Sequence, residues 1–297
     1  MKVEFVTLII KKQSLMPANK NRLYNDVEFL TSIRPYRNYK NIESLQIAAD
    51  YIEKEFRQTD LSVSRQAWKA KGNVYENIIA SFQPEKKKRF IVGAHYDVFR
   101  DIPGADDNAS SVAAILELAR LLSTYNAYIP YGIDLVAFCL EEPPFFKTKM
   151  MGSYIHAKSV NQNNTEVIGM IALEMIGYYG MLDEKTEDDK YYLFVSGIKK
   201  HDDFNKKVST LLRQGSPMNS RRISFADDYR NNGPSDHRNY WKFNYPAAMI
   251  IGSGKGRNPH YHQPTDTIET LDFDVMTEAV NSIRYATFNF SESDIIL

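Results

Sequence analysis

Three apolar runs in this chain each end in side chains that can bind a metal ion. Runs of this length are typical of buried strands. In open α/β sheets, ligands bind beyond the carboxyl ends of the strands, so we expect these side chains to meet at one sheet edge. The runs and the residues that follow them are residues 90–94 with His95, residues 133–140 with Glu141 and Glu142, and residues 167–173 with Glu174.

Further candidate ligands lie in the segments between these strands. Asp97 follows His95 by two residues. Because alternate residues of an extended chain face the same side, the Asp97 carboxylate is expected to accept the second ring N–H of His95. Asp107 lies just before a helix predicted over residues 109–122, and His262 lies in a late loop. Such nitrogen and oxygen donors favour a metal that activates water over a purely structural zinc.

Covalent catalysis is disfavoured by the same sequence. A serine nucleophile on a strand-to-helix turn requires a Gly-x-Ser-x-Gly motif, which this chain lacks. The one cysteine, Cys139, falls inside an apolar run. Adjacent residues of an extended segment point in opposite directions, so Glu141 and Glu142 are expected to divide proton transfer and metal binding between them.

Six separated blocks resemble the M28 family of co-catalytic zinc aminopeptidases, in the order of that family. The similarity extends over about residues 43–288, whereas the first 40 or so residues carry none of the family's signatures. The blocks are His95-Tyr-Asp97, residues 104–110, Glu141-Glu142, residues 173–177, Ser235-Asp-His237 and Tyr261-His262.

The resemblance implies two zinc ions that share one carboxylate. Asp107 corresponds to the bridging ligand. His95 and Glu174 would complete one site, and Glu142 and His262 the other. The family's usual residue at position 174 is aspartate, so Glu174 is a departure that leaves open how the first zinc is held.

The resemblance also implies two catalytic side chains and a substrate class. Glu141 corresponds to the general base that takes a proton from a water bridging the metals, and Tyr261 to a residue that hydrogen-bonds the oxyanion in some members. The expected substrate is a peptide with a free N-terminus. Phe145 and Phe146 follow the glutamates and suggest either an apolar wall for the first substrate side chain or a core-facing loop.

Other histidines and aspartates are assigned structural or surface roles. His260 precedes the predicted ligand by two residues but is not expected to bind metal. His237 is expected to support the site or the fold, and His156 is expected at the surface. Asp106 is interpreted as a turn or cap residue, and Asp266 as a residue that either orients His262 or turns the chain.

The order of predicted elements favours an α/β fold. Alternating strands and helices indicate a mixed, mainly parallel central sheet with helices on both faces. Early strands over residues 61–68 and 77–82 are expected to form an antiparallel edge. Residues 1–297 are expected to form one peptidase domain, with residues 1–40 as an N-terminal extension. The remaining predicted helices are 43–58, 152–159, 203–213 and 274–290, and the remaining strands are 191–196 and 247–251.

Charge and cysteine content restrict the expected partners and compartment. The chain has 37 basic and 37 acidic residues, whereas binding to nucleic acid or a membrane surface favours a basic excess. One cysteine cannot form an intramolecular disulfide. The N-terminal apolar run is short and broken by lysines, unlike a signal peptide. A cytoplasmic location is therefore expected, with an exported form whose signal has been trimmed as the alternative.

Two other functions are weighed against the peptidase. One is glutaminyl-cyclase-like acyl transfer, which related folds perform with a single metal and a Glu-Glu pair. The other is a non-catalytic binding module on the same fold. The intact blocks at His95 and Asp107 favour the peptidase, and a binding module would be expected to have lost ligands.

Overall fold

The structure is a computed structural model that describes residues 16–180, 191–227, 234–252 and 258–290. Its helices are α1 (Lys20–Ser32), α2 (Ile42–Arg57), α3 (Ser111–Ser123), α4 (Gly152–Gln162), α5 (Asp202–Gly215), α6 (His237–Trp241) and α7 (Phe273–Phe288). Its strands are β1 (Ser62–Ala70), β2 (Asn73–Phe82), β3 (Lys88–His95), β4 (Gly132–Phe138), β5 (Glu166–Glu174), β6 (Tyr192–Ile198), β7 (Asn219–Phe225) and β8 (Ala247–Ile251).

These strands form one mixed sheet in the order β1-β2-β4-β3-β5-β8-β6-β7. The central strands β4, β3, β5 and β8 are parallel neighbours, and β6 and β7 form a further parallel pair. The strand β2 is antiparallel to both β1 and β4, and β6 is antiparallel to β8. The predicted α/β fold and its early antiparallel edge are thus confirmed.

Helices cover both faces of the sheet. Successive side chains of a strand point to opposite faces, and along β3 the residues Phe90 and Val92 enter one hydrophobic cluster while Ile91 enters another. The first cluster contains residues of α1, α2, α3, α5 and α7, and the second contains residues of α4 and α6. Burial on both faces fixes the strand ends from which the candidate ligands project.

Helix α1 lies within the region predicted as an N-terminal extension. Its residues Leu23, Val27 and Leu30 follow helical spacing and are fully buried in the larger cluster. Arg22 of this helix pairs with the fully buried Glu117 of α3, with Nε 2.7 Å from a carboxylate oxygen. The segment therefore packs against the rest of the fold, while the expectation of a single domain over the whole chain stays a prediction.

The elements β7 and α6 are also absent from the sequence-based prediction. The strand β7 lies at the edge of the sheet and is largely solvent-accessible, so it has no apolar run to mark it. Helix α6 has five residues, too few for a helical period to show. Patterns of apolar residues therefore do not predict β7, which is mostly exposed, or α6, which is too short.

Across the described residues, no helix combines the length and apolar character that crossing a bilayer requires. The N-terminal apolar run weighed as a signal peptide lies outside the described residues. Compartment therefore stays an expectation.

Candidate metal centre

The carboxyl ends of β3, β4 and β5 lie side by side, because β3 pairs in parallel with both of its neighbours. His95 is the last residue of β3, and Glu174 is the last residue of β5. Glu141 and Glu142 follow the end of β4 closely. The three strand ends therefore bring one imidazole and three carboxyl groups to the same sheet edge, where open α/β sheets bind ligands.

Asp107 faces two imidazoles with its two carboxylate oxygens. Its Oδ1 lies 3.3 Å from Nε2 of His95, and its Oδ2 lies 3.2 Å from Nε2 of His262. On the first side, Glu174 Oε2 lies 3.6 Å from the same His95 nitrogen. On the second side, Glu142 Oε1 lies 3.3 Å from the His262 nitrogen. The structure thus brings the five predicted ligands into two three-residue sets that share Asp107, each with donor atoms within 4.8 Å of one another.

Asp97 supports this cluster in a different way from the one predicted. Nδ1 of His95 lies 3.0 Å from the Asp97 carbonyl oxygen and 3.7 Å from its carboxylate, so the expectation that the carboxylate takes the ring N–H is wrong. The carboxylate instead accepts the backbone N–H groups of Glu141 and Glu142, each at 3.1 Å. Asp97 lies beyond the end of β3, where strand alternation no longer directs its side chain.

The loop that carries Asp107 is fixed by a buried aspartate far along the chain. The carboxylate of Asp266 accepts the backbone N–H of Asp106 at 2.9 Å and that of Asp107 at 3.1 Å. Asp266 therefore holds the shared ligand in place, and no hydrogen bond to His262 is found for it within the described residues. Asp266 was expected either to orient His262 or to turn the chain, and its carboxylate does neither: it binds the backbone of the Asp107 loop.

The neighbours of Asp107 tie the same loop to the end of β5. Asn108 donates its side-chain amide to the Leu173 carbonyl at 2.9 Å and accepts the Met175 N–H at 3.1 Å, so it brackets Glu174. Asp106 is fully buried and accepts backbone N–H groups from the segment after β5, at 2.8 and 3.0 Å. The interpretation of Asp106 as a turn or cap residue is therefore wrong, because its carboxylate secures a second loop instead of a helix start.

The block Ser235-Asp236-His237 lies behind Glu174. Ser235 donates a hydrogen bond to Glu174 Oε1, which leaves Oε2 facing His95. Asp236 is buried, and burial raises its pKa to about 7. His237 is fully buried with its ring edge-on to Trp241, and burial lowers its pKa to about 3, so the imidazole is neutral. His237 is therefore structural, and Ser235 is a contact that the sequence analysis did not assign.

Two aromatic rings enclose His262. The Phe99 ring lies parallel to the imidazole with centroids 4.0 Å apart, and the Tyr261 ring lies 3.9 Å away at an angle of 17°. Burial and the surrounding carboxylates raise the pKa of Tyr261 above its usual value, so its hydroxyl stays protonated and can donate a hydrogen bond. Tyr261 is predicted from the sequence, whereas no local pattern marks Phe99.

Arg37 is a second residue that the sequence analysis missed. It is fully buried, and its guanidinium donates to the carbonyl oxygens of Leu30, Tyr96, Pro103 and Gly104 at 2.7 to 3.0 Å. Three of these carbonyls belong to the single loop between His95 and Asp107, at its beginning (Tyr96) and its end (Pro103 and Gly104). Arg37 thus holds together the two ends of the loop that connects His95 to Asp107, from a region that carries none of the family's sequence signatures.

The charges of the cluster shift the pKa values of its members. Burial lowers the pKa of His262, but the carboxylates of Asp107 and Glu142 outweigh this and raise it to about 9. The imidazoles hold the pKa of Asp107 well below its usual range despite burial. Burial next to other carboxylates raises the pKa of Glu142 to about 7 and that of Glu141 well above its usual range. The two imidazoles therefore do not offset the negative charge of all the carboxylates in the cluster.

His260 and His156 both lie outside the cluster. His260 is partly exposed and places Nδ1 2.9 Å from the Thr265 hydroxyl, away from the ligand sets. The expectation that His156 lies at the surface is wrong, because this residue is buried in α4 with Nδ1 2.7 Å from the Tyr240 hydroxyl. Its partner lies 84 residues away, which explains why the sequence around His156 gave no sign of burial.

The two phenylalanines after the glutamates have different positions. Phe145 is buried and packs edge-on against Tyr39 and Tyr75, so it belongs to the core. Phe146 is half-buried, with the guanidinium of Arg238 5.5 Å from its ring centre. Phe145 therefore has the core-facing position, and a wall formed by Phe146 stays a prediction.

The donor set fits a catalytic divalent metal. Each three-residue set contains one imidazole, one carboxylate of its own and the shared Asp107. Catalytic zinc sites in proteins use three such nitrogen and oxygen ligands and keep a further position open. Cys139 is buried and is not part of these sets, so thiolate ligation has no role.

Comparison with known proteins identifies the relatives of this chain. It is 34% identical over 295 residues to the uncharacterized protein YfbL of Escherichia coli (strain K12), covering 92% of this chain and 88% of that protein. It is 27% identical to leucine aminopeptidase 1 of Emericella nidulans, covering 87% of this chain and 67% of that protein. The crystal structure of Bacteroides thetaiotaomicron glutaminyl cyclase bound to N-acetylhistamine has a TM-score of 0.74 at 20% identity, covering 93% of this chain and all of that chain. The model of peptidase family M28 matches residues 77–287, and this chain therefore belongs to that family.

Proposed function

We propose that the protein is a zinc-dependent aminopeptidase that hydrolyses the N-terminal residue from peptides with a free amino terminus. The main support for the proposal is the position of the Asp107 carboxylate. Its Oδ1 lies 3.3 Å from Nε2 of His95, and its Oδ2 lies 3.2 Å from Nε2 of His262. Catalytic metal pairs lie roughly 3.5 to 4 Å apart, and a carboxylate with an oxygen for each ion suits that spacing. The proposal therefore assigns His95, Asp107 and Glu174 to one zinc ion and Asp107, Glu142 and His262 to the other.

Charge balance supports two divalent cations. The centre contains four buried carboxyl groups, three of them in the ligand sets (Asp107, Glu142 and Glu174) and the fourth on the neighbouring Glu141. Buried like charges are costly unless they are paired or bind metal. Two divalent cations would supply a matching charge of four and leave both imidazoles neutral, as metal binding requires.

Bound zinc would polarise the scissile carbonyl and lower the pKa of water. The residues of this chain supply the remaining steps. Glu141, buried among other carboxyl groups, accepts the proton of the attacking water and returns it to the amine nitrogen as the C–N bond breaks. Tyr261, with its hydroxyl protonated, donates a hydrogen bond to the developing oxyanion. Asp97 holds the backbone of Glu141 and Glu142 so that their carboxyl groups take separate roles.

Glutaminyl-cyclase-like acyl transfer is the second candidate. It is supported by the glutaminyl cyclase structure, which at 20% identity reflects a shared fold. The two complete ligand sets favour the peptidase, because acyl transfer in the related folds uses a single metal. The sequence similarity to leucine aminopeptidase 1 of Emericella nidulans supports the same choice.

The test combines metal content with substrate choice. We expect the purified protein to bind two zinc ions per chain, to hydrolyse aminoacyl anilides, and to lose this activity on chelation. Asp107→Asn should lose both ions, whereas Asp60→Asn, at an exposed position outside the site, serves as the matched control. Full anilide hydrolysis by metal-free protein would overturn the proposal, and cyclisation of glutaminyl peptides without anilide hydrolysis would favour the second candidate.

A further inference from the structure

A cavity of about 650 Å³ opens beside the His262 half of the metal centre. Its lining includes Phe99, which stacks on His262, and Pro143, which directly follows Glu142. Tyr39 and Pro144 add further apolar surface. The cavity therefore adjoins the second ligand set, and none of the proposed ligands or catalytic residues lines it.

Two basic side chains line this cavity. Lys40 and Arg100 are both exposed. Lys40 lies 5.7 Å from the ring centre of Tyr39, and Arg100 lies 4.8 Å from that of Phe99. Among the described residues, no carboxylate forms an ion pair with either of them. Asp101 is the one acidic residue of the lining, so the cavity has a net positive charge.

The far side of the metal centre has the opposite character. Glu174 lies on the His95 side, with Ser235 bonded to its carboxylate and the buried Asp236 next in the chain. A peptide has a cationic amino end and an anionic carboxyl end. The carboxyl end is favoured near Lys40 and Arg100, which give the cavity its positive charge.

Resting on the proposed aminopeptidase activity, we propose that this cavity binds the part of the peptide beyond the scissile bond, and that Lys40 and Arg100 attract its C-terminal carboxylate. A cavity of this volume is roughly 9 Å across, and two or three extended residues span roughly 7 to 11 Å. The preferred substrates are therefore tripeptides and tetrapeptides with a free carboxyl terminus. Tyr39, Phe99 and the two prolines contact the intervening apolar atoms.

The experiment compares kcat/KM for Leu-Ala-Ala, its C-terminal amide, Leu-Ala-Asp-amide and leucine anilide. Arg100→Gln and Lys40→Gln are each expected to lower the free-acid to amide ratio about threefold, and the double variant about tenfold, because exposed charge pairs contribute modestly. The loss should appear mainly in KM and should shrink at high salt. Lys86→Gln, which removes a cation from a separate cavity lined by residues from 81–89, 134 and 160–165, is the matched control.

If the double variant kept the parent's ratio of kcat/KM for the free acid to kcat/KM for the amide, Lys40 and Arg100 would not bind the C-terminal carboxylate. Hydrolysis of the anilide in that case would still support the proposed function. A loss confined to Leu-Ala-Asp-amide would also overturn the carboxylate assignment, because the cations would then bind an acidic side chain. Failure of the parent protein to hydrolyse both the anilide and the peptides would refute the proposed function itself.

Discussion

The ring of Phe99 lies parallel to the imidazole of His262, with the centroids 4.0 Å apart and the planes inclined by 7°. The backbone of His262 has a φ of 58°, in the left-handed region that costs a non-glycine residue roughly 1 to 2 kcal/mol. Its imidazole is nonetheless turned toward Asp107 and Glu142. The Phe99 ring therefore stabilises a ligand whose backbone alone would favour another conformation.

We expect Phe99→Leu to weaken the second zinc site about tenfold to hundredfold, the range found for outer contacts of metal ligands. The first site, which does not contain His262, should keep its metal. Competitive zinc titration against a chelator would resolve the two affinities. Phe99→Tyr retains the stacked ring and serves as the control, and two unchanged affinities in the leucine variant would rule out a positioning role.

The candidate ligands were accessible to sequence analysis because of where they lie along the chain. His95 and Glu174 end apolar strands, and Glu141 and Glu142 follow another, so a local pattern marks each of them. Parallel pairing then brings the strand ends together. The ligands are thus predictable from short segments and one general property of α/β sheets.

The contacts that support the ligands were not accessible in this way. Asp266 binds the Asp107 amide across 159 residues, and Ser235 binds Glu174 across 61 residues. Arg37 binds both ends of the loop between His95 and Asp107 from a region without recognisable motifs. Contacts between residues so far apart along the chain produce no local sequence pattern, so they cannot be predicted from one sequence. The same reason explains the wrong assignment of Asp97, whose partners are fixed by a loop.

Substitutions of the adjacent glutamates should separate metal binding from proton transfer. Glu141→Gln is expected to keep both metal ions and to lower kcat by roughly 10² to 10⁴-fold, because an amide cannot accept the proton. Glu142→Gln is expected to lower metal content at the His262 site, since Glu142 Oε1 lies 3.3 Å from the His262 nitrogen. Metal analysis and steady-state kinetics on the two variants provide the measurement.

Asp97→Asn supplies a control for this pair. It alters the group that accepts the backbone N–H of both glutamates while leaving their side chains intact. We expect it to reduce both metal content and kcat, each less than the direct substitutions do. If the glutamate phenotypes were exchanged, the assignment of base and ligand would have to be reversed.

Acid should destabilise the fold through His156. Burial lowers the pKa of this histidine to about 4, below its ordinary value of 6.5, so the unfolded chain takes up a proton first. The stability gained from keeping His156 neutral is present above pH 6.5 and is lost as the pH falls toward 4, by about 2 kcal/mol at pH 5. Denaturant unfolding of the parent and of His156→Gln should show the parent losing more stability between pH 7 and pH 5. Parallel losses in both proteins would contradict this account.

Glu174 occupies a position at which the family's usual residue is aspartate. Glu174 ends β5 with Oε1 bonded to Ser235 and Oε2 3.6 Å from His95 Nε2. Both contacts require the full length of the side chain, and aspartate would withdraw the carboxylate by about 1.5 Å, most of a zinc–oxygen bond of roughly 2.0 to 2.2 Å. This arrangement favours a backbone that has adjusted to glutamate over a site that is loosely built.

Glu174→Asp is therefore expected to lower occupancy at the His95 site and to leave the Glu142 and His262 site filled. Ser235→Ala removes one hydrogen bond and keeps the side-chain length, so it should weaken the same site less. Zinc titration of both variants distinguishes the possibilities. Tighter zinc binding and higher activity in Glu174→Asp would show that glutamate leaves the first site loose. Two zinc ions bound as tightly as in the parent would show that the length of this side chain does not determine how the first metal is held.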